Sequence, residues 1–110
     1  MRGRAASEVL ALPVRVHGIE LGQPVDALLD PHAGRVVGFE VRCGDGVRRF
    51  LPFAVARLRE DQIEIDSPLM LIDERGLDFY RRHSRSLGAF GYEQPVIAAD
   101  GGVHEALSAA

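Results

Sequence analysis

Residues 21–52, LGQPVDALLDPHAGRVVGFEVRCGDGVRRFLP, contain the clearest structural pattern in the chain. In the middle of this stretch every second residue from Val37 to Cys43 is apolar, and the residues between them are glycine or charged. Side chains on a strand point alternately to two faces. The pattern therefore predicts a strand with one buried face and one solvent-facing side.

Turn-forming sequences bound this strand on both sides. Asp45-Gly46 follows it, and Asp-Gly between two strand-like runs is typical of a hairpin with a type I′ turn, which needs positive φ at both central residues. Before it, Pro31 presets φ and Gly34 suits a left-handed position. The stretch is thus predicted to form three hairpin-connected strands that end at Pro52.

Shorter strand-like segments lie on either side of this stretch. Residues 1–7 are predicted to be disordered, and residues 8–16 are predicted to form a first strand with Pro13 at an edge or bulge. Residues 62–66 alternate as another strand. Five or six short strands within about 60 residues are typical of a small antiparallel barrel or sandwich.

The pattern changes after this β-rich part. Residues 73–84 are predicted to form a short helix, because acidic residues at its start and basic residues at its end suit the helix dipole. Leu77, together with Tyr80 or Phe79, is expected to pack on the barrel.

The remainder, residues 85–110, is predicted to be a tail. The run QPVIAAD at residues 94–100 weakly echoes the run QPVDALLD at residues 23–30. The echo is short, so chance similarity and a truncated second repeat both remain open.

The order of these features resembles a PRC-barrel domain. The similarity spans residues 8–72, and the family includes the cytoplasmic domain of the photosynthetic reaction-centre H subunit and the C-terminal domain of ribosome maturation factors. The residues that carry it are mostly turn and strand-face positions: Gly22, Val25, Asp30, Gly34, Val36, Gly38, Val41, Arg49, Leu51 and Pro52. The resemblance implies an all-β fold, a small six-stranded antiparallel β-barrel with a short C-terminal helix and tail. It also implies a docking module rather than an enzyme, although a fold by itself is a poor guide to function.

The sequence departs from both named relatives. The H subunit carries a membrane helix ahead of its barrel, and the maturation factors carry a separate N-terminal domain. Neither is expected in the segment before residue 8, so a stand-alone bacterial member is the better comparison.

Composition limits the function classes further. The chain has 13 basic residues, all arginine, and 16 acidic residues, which gives a net charge of −3. This balance argues against a general nucleic-acid binder, whose affinity comes from many phosphate contacts. The single cysteine excludes an internal disulfide framework and fits a reducing, cytoplasmic setting. No apolar run approaches the roughly 18 residues of a membrane span.

No catalytic, cofactor-binding or metal-binding residue is predicted. The four histidines are scattered without metal-ligand spacing on one element. The serines lack a nucleophile-elbow context, and the glycines do not form a phosphate loop.

Interaction residues are predicted in the C-terminal half. Arg81, Arg82 and Arg85 form a basic cluster that suits an acidic partner or RNA phosphates, or that only complements the helix dipole. A contact patch is predicted to include Met70, Phe79 and Tyr80.

The leading functional prediction is a non-enzymatic interaction and assembly module that forms a homodimer and binds an unidentified protein partner. The alternative is an RNA- or ribosome-associated maturation factor.

Arg48 and Arg49 are neighbours on one strand and should face opposite ways. One of the two is expected to be exposed, and the other is expected to cap the barrel or to pair with an acid such as Asp26 or Glu40.

Overall fold

The computed structural model describes residues 3–106. Over this range the chain forms ten strands, two α-helices and three short 3₁₀ turns. In chain order the strands and helices are β1 (Arg4–Ala5), α1 (Ala6–Leu10), β2 (Val14–Val16), β3 (Ile19–Leu29), β4 (Val36–Cys43), β5 (Arg48–Pro52), β6 (Arg57–Leu58), β7 (Ile63–Glu64), α2 (Glu74–His83), β8 (Arg85–Ser86), β9 (Pro95–Ile97) and β10 (Val103–Glu105). The 3₁₀ turns are Phe53–Val55, Pro68–Met70 and Leu87–Phe90.

The main sheet has the order β5-β4-β3-β2-β7-β6, with β8 paired to β3. The three predicted hairpin strands are confirmed as β3, β4 and β5, which pair antiparallel in succession. The mostly-β prediction is therefore confirmed.

The prediction of a closed six-stranded antiparallel barrel is wrong. The sheets do not close, and β2 pairs with β7 in parallel. One physical reason lies at the outer edge of β5, where Phe50 and Ile72 exchange backbone hydrogen bonds of 2.9 and 2.8 Å. These bonds occupy backbone groups that closure would need for pairing with another strand.

A second sheet joins the two ends of the described chain in the order β1-β9-β10. Arg4 pairs with Ile97 and Ala5 with Val96, so residues that were predicted to be disordered form a strand. Residues 1–2 of the segment predicted to be disordered and residues 107–110 of the predicted tail lie outside the described residues.

Helix α1 replaces the start of the predicted first strand, so the prediction for residues 8–10 is wrong. Ala6 and Val9 are buried and three positions apart, which is a helical spacing, while Glu8 is exposed. The strand itself begins only at Val14, after Pro13.

The segment predicted to be a tail carries β8, β9 and β10. The β9–β10 turn pairs with the β3–β4 turn, because Val36 N–H donates to Gly101 O (2.8 Å) and Val103 N–H donates to Gly34 O (3.1 Å). Whether the Gln-Pro-Val echo marks a true repeat stays a prediction.

Both turns of the central hairpins form where the sequence predicts them. In the first, Asp30 Oδ1 accepts hydrogen bonds from His32 N–H and Ala33 N–H, and Gly34 has φ 64°. The second is not type I′. Of residues 44–47 only Gly46 has positive φ, at 82°, and its N–H donates to Cys43 O.

Two apolar cores lie on opposite faces of the main sheet. The larger one contains Phe39, Val41 and Cys43 of the predicted buried face, together with Ile97 of β9, whereas Val37 of that face is half-buried and packs against the smaller core. The smaller one consists of Leu28, Phe50 and Leu77, which α2 contributes. Gly38 and Glu40, predicted to face solvent, are buried because this second core and α2 cover them.

Candidate functional site

Helix α2 begins with a capped turn and approaches the sheet closely. Asp73 Oδ1 accepts a hydrogen bond from Gly76 N–H at 3.1 Å, which satisfies one of the free N–H groups of the first turn. A Cβ atom at position 76 would collide with the side chain of Ile72. Glycine at this position therefore lets the helix pack directly against Ile72, the residue that pairs with the outer edge of β5.

Stacked aromatic rings hold the middle of α2 on the sheet. The Tyr80 ring lies nearly parallel to the Phe50 ring, with centroids 3.9 Å apart and planes inclined by 10°. Leu77, one turn earlier, is buried beside Phe50. The expectation that Leu77 and Tyr80 pack on the sheet is confirmed.

A buried carboxylate supplies the polar part of the same attachment. Glu40 is only 6% exposed, and its two oxygens accept hydrogen bonds from different arginines. Arg81 Nε donates to Oε1 at 2.9 Å, and Arg48 Nη1 donates to Oε2 at 2.6 Å. The hydrogen bond from Arg81 is the main cause that lowers the pKa of Glu40, and it outweighs the opposing effect of burial.

This network gives Arg81 a structural task. Arg81 Nη1 also donates to Asp78 Oδ1 at 3.1 Å, so its guanidinium bonds two carboxylates of its own chain. The predicted ion pair with Glu40 forms at Arg48, but Arg48 is also the more exposed of the two arginines, and the less exposed Arg49 pairs with Asp45. Sequence reasoning missed the burial of Glu40, because its alternating position indicated a wet face.

Phe79 is the exposed aromatic residue of α2, with 44% of its surface accessible. Its ring packs edge-on against Tyr80 at 5.4 Å and lies 4.3 Å from the His83 ring. These neighbours hold the ring in place while one side of it remains in contact with solvent. Aromatic residues of this kind are common anchors in protein interfaces.

A small hollow lies between the C-terminal half of α2 and the β3–β4 turn. It has a volume of approximately 260 Å³. We call it the α2 hollow, and its lining residues are Asp30, Pro31, His32, Val37, Phe79, Tyr80, His83 and Ser84. The β3–β4 turn, set by Asp30 and Gly34, thus positions one wall, and the helix positions the other.

The remaining predicted interaction residues fall into two groups. Arg82 and Arg85 are exposed, and neither forms an ion pair within residues 3–106. Met70 is half-buried and packs against the larger core, not against the smaller core to which α2 contributes Leu77. The structure therefore brings Phe79, Tyr80 and Arg82 together on α2 and places Met70 elsewhere.

A larger cavity of approximately 490 Å³ lies at the seam between α1 and the second sheet. Its walls are mainly apolar and include Ala6, Leu10, Leu87 and Val96. Its polar residues do not form a nucleophile, base and acid arrangement. In the part of the chain that the structure describes, no group of three or more His, Cys, Asp or Glu side chains is placed to hold a metal ion.

No protein-family model matches this sequence, and no curated protein matches it either. Within residues 3–106, none of the helices is long and apolar enough to cross a membrane.

Proposed function

We propose that this protein is a non-enzymatic interaction and assembly module that resembles PRC-barrel domains in sequence, although its sheets do not close into a barrel, and that its contact surface is the exposed side of α2. The observation that carries the proposal is Phe79, a large aromatic side chain kept partly exposed on a helix that is fastened to the sheet by two independent means. A rigid aromatic anchor loses little conformational entropy on binding. The resemblance of residues 8–72 to PRC-barrel domains supports docking as the role.

A homodimer is part of this proposal. Light scattering coupled to size-exclusion chromatography measures the mass directly. A dimer mass at micromolar concentration supports self-association. A strictly monomeric mass at high micromolar concentration rejects the homodimer, and the proposed surface would then bind a different protein.

The RNA- or ribosome-associated alternative receives less support from the charges. Arg81 is engaged by Glu40 and Asp78, which leaves Arg82 and Arg85 of the predicted cluster for phosphate contacts. Two such contacts provide little of the salt-dependent affinity typical of nucleic-acid binding. Co-sedimentation with ribosomes at low salt tests it, and clear association there would favour this alternative over ours.

Site-directed photo-crosslinking tests the interaction surface. A photoreactive phenylalanine analogue replaces Phe79 in one variant and exposed Glu60, on the distant β6–β7 turn, in a matched control. We expect position 79 to give a discrete crosslinked protein in extracts of the source cells, competed by unlabelled wild type and not by Phe79→Ser. Absence of such a product, or equal products from position 60, would contradict the proposal.

A further inference from the structure

The arginines of this chain divide into paired and unpaired sets. Six of them form ion pairs with carboxylates within residues 3–106: Arg35, Arg48, Arg49, Arg57, Arg59 and Arg81. Arg75 and Arg82 form none in that range, and both are exposed on α2. Their positive charges are therefore available to an external carboxylate.

These two arginines lie on either side of Phe79 along the helix. Arg75 precedes Phe79 by four residues and Arg82 follows it by three, and residues at these spacings share one helix face. His83 lies on the same face, four residues after Phe79 and with its ring 4.3 Å away. We call this set the α2 face: Arg75, Phe79, Arg82 and His83.

The α2 hollow next to this face is smaller than a typical small-molecule site. Its approximately 260 Å³ is below the roughly 300–1,000 Å³ typical of small-molecule sites. Phe79, Tyr80, Pro31 and Val37 give it apolar walls. It has room for one apolar or aromatic side chain of a partner.

From these observations we propose that the α2 face binds an acidic protein segment that places one apolar side chain in the α2 hollow and carboxylates against Arg75 and Arg82. This inference rests on the proposed function and names the chemistry of its partner. The arginines and the α2 hollow recognise different parts of the segment. The guanidinium groups present a fork of donors that matches a carboxylate, and the hollow accepts an apolar side chain, which a purely hydrophilic acidic peptide lacks.

Acidic residues near the site favour a short acidic segment over a nucleic acid. Asp30 lines the hollow, and Asp78 and Glu74 lie on the same helix. A polyanion with a charge at every nucleotide meets repulsion from these carboxylates as well as from a chain of net charge −3. A short peptide with carboxylates on both sides of one apolar residue can contact Arg75 and Arg82, which lie on both sides of Phe79.

The test uses the full chain, labelled with ¹⁵N, and the capped peptide EDELFDE as the probe. Three matched ligands accompany it: KRKLFKR with reversed charges, EDESSDE without the apolar anchor, and a single-stranded RNA. We expect saturable binding of EDELFDE that weakens with salt, with chemical-shift changes concentrated in residues 75–85 and 31–37. The three matched ligands should bind at least about tenfold more weakly.

Variants of the full chain locate the interaction. Arg82→Glu and Phe79→Ser should each weaken EDELFDE binding at least about tenfold, whereas Arg42→Glu makes the same charge change at an exposed arginine on β4 and should not. All three positions are exposed, so each variant should remain folded, and the dispersion of its amide spectrum checks this directly.

Three results would overturn the inference: no saturable binding of EDELFDE at millimolar peptide, shift changes centred on another surface, or equal or tighter binding of KRKLFKR or RNA. These failures are distinguishable from failure of the proposed function. A specific crosslink from position 79 without acidic-peptide binding rejects only the acidic chemistry, while loss of that crosslink rejects both.

Discussion

Arg81 Nε and Glu40 Oε1 lie 2.9 Å apart and join residues 41 positions apart in the sequence. This single contact connects the last turn of α2 to the centre of β4. Because Glu40 is buried, the contact adds a polar attachment of the helix that carries Phe79, beside the stacked rings of Phe50 and Tyr80.

Removing this arginine should destabilise the fold. Arg81→Ala leaves the Glu40 carboxylate buried with Arg48 as its one remaining charged partner, and we expect the free energy of unfolding to fall by roughly 1–3 kcal/mol. Arg82→Ala is the matched control on the same turn, and its effect should stay within about 0.5 kcal/mol. Urea denaturation measures the free energy of unfolding of both variants. Equal losses would show that the Arg81–Glu40 pair contributes no more stability than an exposed, unpaired arginine.

Glu40 should also make the stability of the fold depend on pH. Its pKa is lower in the folded protein than the ordinary value of 4.5, chiefly because of Arg81. At neutral pH the carboxyl is ionised in both states and its full stabilisation is present. Below about pH 4.5 the unfolded state binds the proton first, so this stabilisation declines and is lost as pH falls through the folded-state pKa.

Comparison with Glu40→Gln isolates that contribution. The variant should be less stable than wild type at pH 7, and the difference should shrink as pH falls below about 4.5. Denaturation of both proteins across pH 2–7 measures it. A difference that is constant with pH would contradict the assignment to ionised Glu40.

The Phe50–Tyr80 stack should contribute through the ring and not through the hydroxyl. No hydrogen bond of the Tyr80 hydroxyl is present within residues 3–106, so Tyr80→Phe should change the free energy of unfolding by less than about 0.5 kcal/mol. Tyr80→Ala removes a half-buried ring over Phe50 and should cost about 2–3 kcal/mol. A large loss in Tyr80→Phe would reveal a role for the hydroxyl.

Gly38 should be intolerant of a side chain. A Cβ at this position would collide with the Phe50 ring and the Leu51 carbonyl, so Gly38→Ala should lower the free energy of unfolding by roughly 1–3 kcal/mol or more. Gly44→Ala is the control, because a Cβ there meets open space and φ is not in the left-handed region. Thermal unfolding should show a lowered Tm for the first variant alone.

The C-terminal hairpin should be required for the main core. Ile97 is 1% exposed and belongs to the larger core, so Ile97→Ala should cost about 2–4 kcal/mol. Val96→Ala, on the adjacent half-buried position of β9, should cost less than half as much. A loss in Ile97→Ala as small as the one expected for Val96→Ala would indicate that β9 packs only loosely on the rest of the protein.

The central hairpins and α2 follow from local chemistry that the sequence displays. Alternation from Val37 to Cys43 indicates a strand because side chains on a strand alternate faces. The turns follow because Asp30 bonds the N–H groups that follow it, and because Gly34 and Gly46 adopt left-handed φ. Helix α2 follows from Asp73 at its start and Arg81 and Arg82 at its end.

Contacts between distant segments decided the rest. The strand pattern assigns Glu40 to solvent. It is buried only because α2, about 40 residues later in the sequence, packs over it and supplies Arg81 as its partner. Likewise, Ile72 occupies the edge of β5, and the Arg4–Ile97 pairing orders the two ends. A local pattern reports which face a residue takes, but burial depends on which segment packs against that face, and that is a property of the whole fold.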